Sequence, residues 1–218
     1  MKLIAINGSP RKNWNTDSLL KEVIDGASSA GAETEMIYLY NLDFKGCKGC
    51  MACKIKNGKS LGRCNKKDDL KEVLDKVHEA DVLVLGSPIY WHDVTGVMRC
   101  FIERLFFQYL NYDDHDSPLS TPKRTAMIYT MNMPSELHEE NKYETLIFKK
   151  YENLMKEFFG HCETLYTTQT LFVKNYEKYH LGVFDEEFMK ERHETHFSKI
   201  TEKAYELGVN LIEMSDRK

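Results

Sequence analysis

The sequence predicts an α/β fold with a doubly wound, five-stranded parallel sheet and helices on both of its faces. Two observations support this fold class. Short β-rich runs alternate with longer segments of helical periodicity, which indicates right-handed crossovers between parallel strands. In addition, the segment 81–91 begins with the continuous apolar run that is typical of a central strand covered on both faces.

The first half of the chain provides three of these strands. The run KLIAIN at 2–7 is rich in β-forming residues, and apolar side chains at helical spacing follow over 16–30. The segment 33–42 alternates in part and predicts the second strand. After a cysteine-rich insertion at about 44–66, a helix capped by Asp68 leads into the central strand.

The second half continues the alternation of helices and strands. We expect a helix from about Val94 to Tyr109, a fourth strand over 123–132, an amphipathic helix over 140–160, a fifth strand over 163–173 and a final helix over about 186–213. Gly160 is a natural stop for the helix before it. Because nothing in the composition marks a linker, we expect a single domain over 1–218.

Composition and charge argue against several classes of protein. The formal net charge is −4, and the 30 Lys and Arg residues are spread along the chain, which argues against nucleic acid as a partner. The chain enters an apolar run at once, and no apolar span reaches the length of about 18 residues that a membrane helix needs. We therefore expect a cytoplasmic protein without membrane association.

The loop after the first strand, GSPRKNWNTDS, has the composition of an anion site. Ligands of doubly wound sheets lie beyond the carboxyl ends of the strands, where the strand order reverses. This loop combines the cation Arg11 with polar side chains at Ser9, Asn15, Thr16 and Ser18 and leads into a helix N-terminus. Because it lacks both a Gly-Lys-Ser/Thr ending and a glycine triplet, it favours a monophosphate. The alternative is an ordinary polar connection with an Asn or Thr cap.

The loop after the central strand, SPIYWHDVTG, places large aromatic side chains at the same edge. Pro88 lies in the turn, and Tyr90 and Trp91 follow it. Aromatic rings beside backbone N–H groups suit a flat heteroaromatic ring with polar edges. The alternative is that these aromatic residues only pack against the core where the next helix begins.

Three segments, in this order, carry a resemblance to a known family. NGSPRKNWNT, CKGCMACK with CNKKDDL, and GSPIYWHDVTGVMRCFIERL resemble segments of the NADPH-dependent FMN reductases of the flavodoxin-like superfamily, which include the iron–sulfur flavoproteins. The motifs cover roughly the first half of the chain, and the order of strands and helices extends the resemblance to its end. The resemblance implies a flavodoxin-like fold that binds FMN.

The resemblance also implies which residues bind FMN. The phosphate would lie on Ser9, Arg11, Asn15, Thr16 and Ser18. The ribityl chain and the ring would lie against Pro88, Ile89, Tyr90 and Trp91, with Thr130 and Asn132 of a third loop, 130–133, on the far side of the ring. This chain departs from the family at Trp14, where glycine is frequent, and at His92, where a small residue is common.

Four cysteines are clustered in the insertion, at Cys47, Cys50, Cys53 and Cys64, with the spacing C-x2-C-x2-C-x10-C. The first three match the spacing by which a loop wraps a four-iron cluster. The resemblance supports one 4Fe–4S cluster that exchanges electrons with FMN, although the last spacing is longer than the pattern of the iron–sulfur flavoproteins. Four-thiolate zinc, a redox disulfide between Cys47 and Cys50, and reduced thiols are the alternatives.

The function we expect is that of an FMN-dependent NAD(P)H oxidoreductase of the flavin or quinone reductase type. NAD(P)H would be the co-substrate, and a small molecule or a redox protein would accept the electrons. We expect no catalytic side chain, because the chemistry belongs to the cofactor. The alternative is an iron–sulfur flavoprotein that carries electrons from ferredoxin, and a redox sensor is a more distant one. Since a second subunit often covers the flavin in this family, we expect a homodimer or homotetramer.

Overall fold

A computed structural model describes residues 1–114, 118–134, 137 and 142–214. Five parallel strands form the sheet in the order β2-β1-β3-β5-β6, and the two-residue strand β4 pairs antiparallel with the end of β3. The strands are β1 (Lys2–Asn7), β2 (Glu33–Tyr38), β3 (Val82–Tyr90), β4 (Asp93–Val94), β5 (Arg124–Thr130) and β6 (Glu163–Thr167). The five-stranded, doubly wound parallel sheet is therefore confirmed.

The helices lie on both faces of this sheet. They are α1 (Asn15–Ser29), α2 (Leu70–Glu79), α3 (Gly96–Tyr109), α4 (Lys149–Phe159), α5 (Glu186–Arg192) and α6 (Ser198–Glu213). Two π-helical turns, Glu144–Phe148 and His193–Phe197, lead directly into α4 and α6. Within the described ranges, no helix combines the length and the apolar character that crossing a membrane requires.

Alternate side chains of β1 build the two halves of the core. Leu3 and Ala5 belong to a buried cluster with apolar residues of α1 and α6, whereas Ile4 and Ile6 belong to the cluster with α2, α3 and α4. All four side chains are fully buried. The period of two along the strand thus divides the helices between the two faces.

The strand order reverses between β1 and β3. From β1 the chain moves outward to β2, and it then returns to place β3 on the other side of β1. The loops that follow β1 and β3 consequently meet at the carboxyl edge of the sheet. This is the switch point at which doubly wound folds bind ligands.

The fifth strand is shorter than the predicted 163–173, because β6 ends at Thr167. Gln169 has a positive φ of 49°, which turns the chain away from the sheet. The N–H groups of Gln169 and Thr170 then donate to the carbonyls of Met133 and Met131. The segment after β6 is therefore a loop tied to the end of β5.

Two helix boundaries were also tested by the structure. The prediction that Asp68 caps α2 is wrong, because the helix begins at Leu70 and the Asp68 carboxylate pairs with Arg104 instead. Gly160 ends α4 in the left-handed conformation, with a φ of 88°, as predicted. Residues 140 and 141 of the predicted helix lie outside the described residues.

Replacing Lys123 by methionine should lower the free energy of unfolding by about 1–3 kcal/mol. Its buried Nζ donates to the carbonyls of His78 and Ala80 at the end of α2, and these would lose their partner. Burial lowers the pKa of Lys123 to about 8. Between pH 8 and about 10 the unfolded chain binds more protons at this residue, so the difference between wild type and variant should grow with pH.

Urea denaturation of both proteins at pH 7, 8 and 10 measures this effect. Lys199→Met, which changes an exposed lysine of α6, is the control. If the two variants are equally stable, the contacts of Lys123 with α2 do not contribute to stability.

Candidate functional site

The loop after β1 is held against β3 by close backbone contacts. The Gly8 N–H donates to the Gly86 carbonyl at 2.8 Å, and Thr95 Oγ1 donates to the Gly8 carbonyl at 2.8 Å. A Cβ at Gly8 would lie 2.9 Å from Met98 Cε and 3.3 Å from the Gly86 carbonyl oxygen, so a larger residue would require the Met98 side chain to move. These contacts join the first loop to the central strand and to the start of α3.

Asp17 organises the same loop from within α1. Its fully buried carboxylate accepts hydrogen bonds from Asn7 Nδ2 at 2.8 Å and from the Asn13 N–H at 2.7 Å, and it pairs with Lys21 at 2.9 Å. Burial alone would raise the pKa of Asp17, but the bonds from Lys21 and Asn13 outweigh it and lower the pKa. The loop is thus shaped by a buried, ionised carboxylate.

Replacing Asp17 by asparagine should lower the free energy of unfolding by about 1–3 kcal/mol at pH 7, because the charge-assisted bonds are lost. The pKa of Asp17 is lower in the folded chain than in the unfolded chain. Its contribution is therefore fully present above about pH 4 and is lost as the pH falls through the folded value.

Denaturation at pH 7 and at pH 3 measures both effects, with Asp25→Asn as the control because Asp25 is an exposed carboxylate of the same helix. A difference between wild type and Asp17→Asn that does not shrink at pH 3 would contradict this role of Asp17.

The N-terminus of α1 has no side-chain cap and opens toward a cavity. Trp14 occupies the N-cap position and makes no capping hydrogen bond. The alternative to an anion site, an ordinary connection with an Asn or Thr cap, is therefore not found at this helix. The helix has 15 residues, and its first N–H groups carry the positive end of its dipole. An anion placed in this cavity could accept hydrogen bonds from them.

Three loops and the segment after β6 line this cavity, which we call the edge cavity. Its lining residues are Ser9, Arg11, Trp14, Asn15, Thr16, Pro88, Ile89, Tyr90, Thr130, Met131, Asn132, Thr170, Leu171 and Phe172. Nine of these are among the eleven residues predicted from the sequence. Of the other two, Ser18 lies in the first turn of α1 outside the lining, and Trp91 lines a neighbouring cavity.

Direct contacts connect the parts of the edge cavity. Thr16 Oγ1 and Thr130 Oγ1 share a hydrogen bond of 2.7 Å, which links α1 to the end of β5. The Arg11 guanidinium lies 4.4 Å from the centre of the Trp14 ring and donates to the Phe172 carbonyl at 2.8 Å. Arg11 thus brings a positive charge to one wall of the cavity.

Unpartnered polar atoms also face this site. Both side-chain atoms of the Asn132 amide are buried and have no hydrogen-bond partner among the described residues, and Trp14 Nε1 is in the same situation. Buried polar groups are normally paired, so atoms of this kind at a cavity wall indicate a ligand that satisfies them.

The aromatic residues after β3 lie on a tight hairpin. Tyr90 and Asp93 pair across the β3–β4 ladder, and Trp91 and His92 form the two-residue turn with φ values of 49° and 63°. Two positive φ values are typical of a type I′ turn, which is strained for bulky side chains. Trp91 lies at the tip of this turn and is 96% exposed.

A second cavity adjoins the first on the side of this hairpin. Its lining includes Trp91, His92, Met133, Tyr143 and Phe184, and it shares Ile89, Met131, Asn132 and Phe172 with the edge cavity. His92 Nδ1 and the Tyr143 hydroxyl lie 2.5 Å apart. The wall is thus mostly aromatic and apolar, and its polar groups include the His92–Tyr143 pair and the Asn132 amide.

Of the five lining residues that were not predicted, Trp14 and Met131 belong to loops that the sequence did indicate, and the sequence analysis missed the other three altogether, Thr170, Leu171 and Phe172. They contact the loop of the first strand directly, because Asn15 Nδ2 donates to the Leu171 carbonyl at 3.0 Å. The rule that ligands bind in loops after the carboxyl ends of strands also predicts these residues, because they follow β6. The apolar sequence TLFV was instead assigned to the strand itself.

All four cysteines of the insertion line one further cavity, together with Arg104 and Gln108 of α3. Cys47 and Cys50 are exposed, Cys64 is half-buried and Cys53 is buried. Burial raises the pKa of the Cys53 thiol, and Lys54 lowers it in part. Among the described residues, no three His, Cys, Asp or Glu side chains are gathered closely enough to hold a metal ion.

The chain is similar in sequence to known flavoproteins. An iron–sulfur flavoprotein of Archaeoglobus fulgidus is 45% identical over 104 residues, which cover 48% of this chain and 48% of the relative. An iron–sulfur flavoprotein of Methanocaldococcus jannaschii is 38% identical over 104 residues, covering 48% of this chain and 51% of the relative. The chain thus spans about half the length of the curated relatives it matches.

Solved structures match the fold over nearly the whole chain. An NAD(P)H:quinone oxidoreductase from Methanothermobacter marburgensis is 14% identical with a TM-score of 0.68, covering 97% of this chain and 98% of the other. An archaeal flavodoxin is 13% identical with a TM-score of 0.51, covering 98% and 97%. The fold is therefore flavodoxin-like.

The match to a family model settles the resemblance that the sequence motifs indicated. The model describes NADPH-dependent FMN reductases, and it matches residues 1–135, which include the loops after β1, β3 and β5. The chain therefore belongs to the NADPH-dependent FMN reductase family.

Proposed function

We propose that the protein is an FMN-dependent oxidoreductase that passes electrons from NAD(P)H to a small acceptor. The observation that carries this proposal is the edge cavity, where an uncapped helix N-terminus, the cation Arg11 and the Asn132 amide, which has no partner among the described residues, face one space. These groups fit the anionic and the polar heteroaromatic ends of FMN.

The α1 end of the cavity would hold the phosphate. The N–H groups of the first turn, the Ser9 and Thr16 hydroxyls and the Arg11 guanidinium are all suited to a dianion. Asn15 adds a side-chain donor at the same end. The network around Asp17 keeps the loop in place before the anion arrives.

The β3 and β5 end would hold the ring. Pro88, Ile89 and Tyr90 offer one wall. Asn132 on the opposite loop offers two amide atoms that have no partner in the described part of the chain to the polar edge of a heteroaromatic ring. When bound, FMN supplies the capacity to accept a hydride from a nicotinamide and to release electrons singly or in pairs.

The second cavity would receive the nicotinamide and the acceptor in turn. Its aromatic and apolar walls suit flat molecules such as quinones, and the His92–Tyr143 pair offers a polar contact at its edge. The exposed Trp91 lies beside its opening. The structural match to a quinone oxidoreductase is consistent with this choice of acceptor.

Calorimetry with FMN, followed by a steady-state assay of the FMN-loaded protein, tests the proposal. We expect stoichiometric binding of FMN and oxidation of NADH or NADPH that requires an added quinone. Absence of heat on FMN addition would end the case for the edge cavity. Binding of FMN without nicotinamide oxidation would favour an electron carrier.

The second candidate is an iron–sulfur flavoprotein that carries electrons between ferredoxin and FMN. Four thiols around one cavity, with Arg104 Nε in its wall and unpartnered among the described residues, fit a four-iron cluster by the chemistry of their donors. Cys47, Cys50, Cys53 and Cys64 would be the ligands. If only reduced ferredoxin bleaches the flavin, this second function holds.

A further inference from the structure

Arg104 carries a permanent positive charge into the wall of the cysteine cavity, although it is only 2% exposed. Its Nη1 donates to Asp68 Oδ2 at 2.6 Å, and its Nη2 donates to Cys64 Sγ at 3.3 Å. Its Nε has no partner among the described residues. The guanidinium thus lies between a carboxylate and a cysteine sulfur.

Gln108 contacts the same cysteine from one helical turn further along α3. It is 1% exposed, and its Oε1 accepts the backbone N–H of Cys64 at 2.8 Å. Residues four apart share a helix face, so Arg104 and Gln108 act from one side of α3. Together they hold Cys64 by its sulfur and by its backbone.

Cys64 is the cysteine that needs such support, because ten residues separate it from Cys53. Closing a longer loop costs conformational entropy. The Gly62 N–H donates to the Cys53 carbonyl at 3.0 Å, which brings the end of this loop back to the other cysteines. The contacts from α3 then fix the position of the sulfur.

A purely structural ion pair would not account for the contact with sulfur. Replacing a buried ion pair by apolar groups is often neutral or stabilising, so stability alone is a weak reason to bury Arg104 and Asp68. Hydrogen bonds to ligand sulfurs and positive charges nearby favour the reduced, more negative state of an iron–sulfur cluster. The Lys54 ammonium, which donates to the carbonyls of Gln108 and Leu110, adds to this charge.

We propose that Arg104 is a positioning residue for an iron–sulfur cluster held by the four cysteines. It anchors Cys64 as the fourth ligand and raises the reduction potential of the cluster. The inference rests on the proposed cluster and is independent of the FMN site. The only redox step is the gain or loss of one electron by the cluster, exchanged with FMN or a redox protein, and no covalent bond changes.

Anaerobic reconstitution of the protein with ferrous iron and sulfide tests this inference. The variant is Arg104→Met combined with Asp68→Asn, which leaves no buried carboxylate unpaired and removes one charge of each sign, so that its effect reports the lost hydrogen bond to Cys64. Its potential, measured by an EPR-monitored redox titration, should fall so that reduction is at least tenfold less favourable, about 59 mV for one electron. Loss of iron to a chelator should be at least tenfold faster. Arg99→Met, on an exposed residue of α3, should match the wild type.

Arg104→Lys provides a second test if the double variant does not fold, because it keeps a cation beside Asp68 but loses the fork that also reaches sulfur. We expect its potential between those of the wild type and the double variant. Variants with an unchanged potential and unchanged iron release would overturn the inference. A wild-type protein that takes up no iron, or that holds zinc instead, would also overturn the inference. If the flavin spectrum is unaltered in that case, the proposal that the protein binds FMN is not affected.

Discussion

Replacing Asn15 by aspartate is expected to weaken FMN binding at least 100-fold, about 2.7 kcal/mol. Asn15 is 7% exposed at the first residue of α1, and it lines the edge cavity. Aspartate would place a negative charge beside the phosphate and would remove the donor to the Leu171 carbonyl. The added charge opposes a bound dianion, because charges are poorly screened in a partly enclosed site. The lost donor removes the contact between α1 and the loop after β6.

The matched control is Asn13→Asp, which makes the same chemical change in the same loop. Asn13 is exposed and lies outside the cavity lining, and its Oδ1 accepts from Lys21 Nζ at 2.6 Å, so a carboxylate there would keep a cationic partner. Fluorescence titration of FMN should show a large loss of affinity for Asn15→Asp only. This loss should be smaller at high salt than at low salt. An affinity within threefold of wild type would remove the α1 N-terminus from the site.

The loops of the candidate site could be predicted because they obey local rules. Ser9, Arg11 and Asn15 follow the first strand in a stretch whose composition itself indicates a turn and a helix start. The apolar run before Ser87 identifies a central strand, and the parallel order then brings the loops together at one edge. Sequence patterns predict these parts of the site because interactions between residues close in the sequence determine them.

Contacts between distant segments could not be predicted in this way. Asp68 is of a residue type that often caps helices. Its carboxylate binds Arg104 instead, which lies 36 residues further along the chain and is a stronger partner. The loop at 170–172 carries an apolar sequence that a strand would share, and only its bonds to the end of β5 reveal a turn. In both cases tertiary contacts decide between two local options.

The packing of α1 against α6 likewise lies beyond sequence patterns, and it leads to the largest effect on stability that we expect. Gly208→Ala should lower the free energy of unfolding by about 3 kcal/mol. A Cβ at Gly208 would overlap the Val23 carbonyl oxygen, and one at Gly26 would overlap the Tyr205 carbonyl oxygen, so the two helices touch through their backbones.

The sign of this effect is informative because helix propensity favours the opposite result. Alanine stabilises a helix interior by about 1 kcal/mol relative to glycine, so a net loss can only come from the helix contact. Gly96→Ala at the first position of α3, where a Cβ would meet no atom within 4 Å, makes the same substitution without a helix contact and should not destabilise. Because α1 presents the proposed phosphate site, Gly208→Ala should also weaken FMN binding. Thermal unfolding of both variants measures the difference, and a Gly208→Ala protein as stable as Gly96→Ala would show that α1 and α6 do not meet at these glycines.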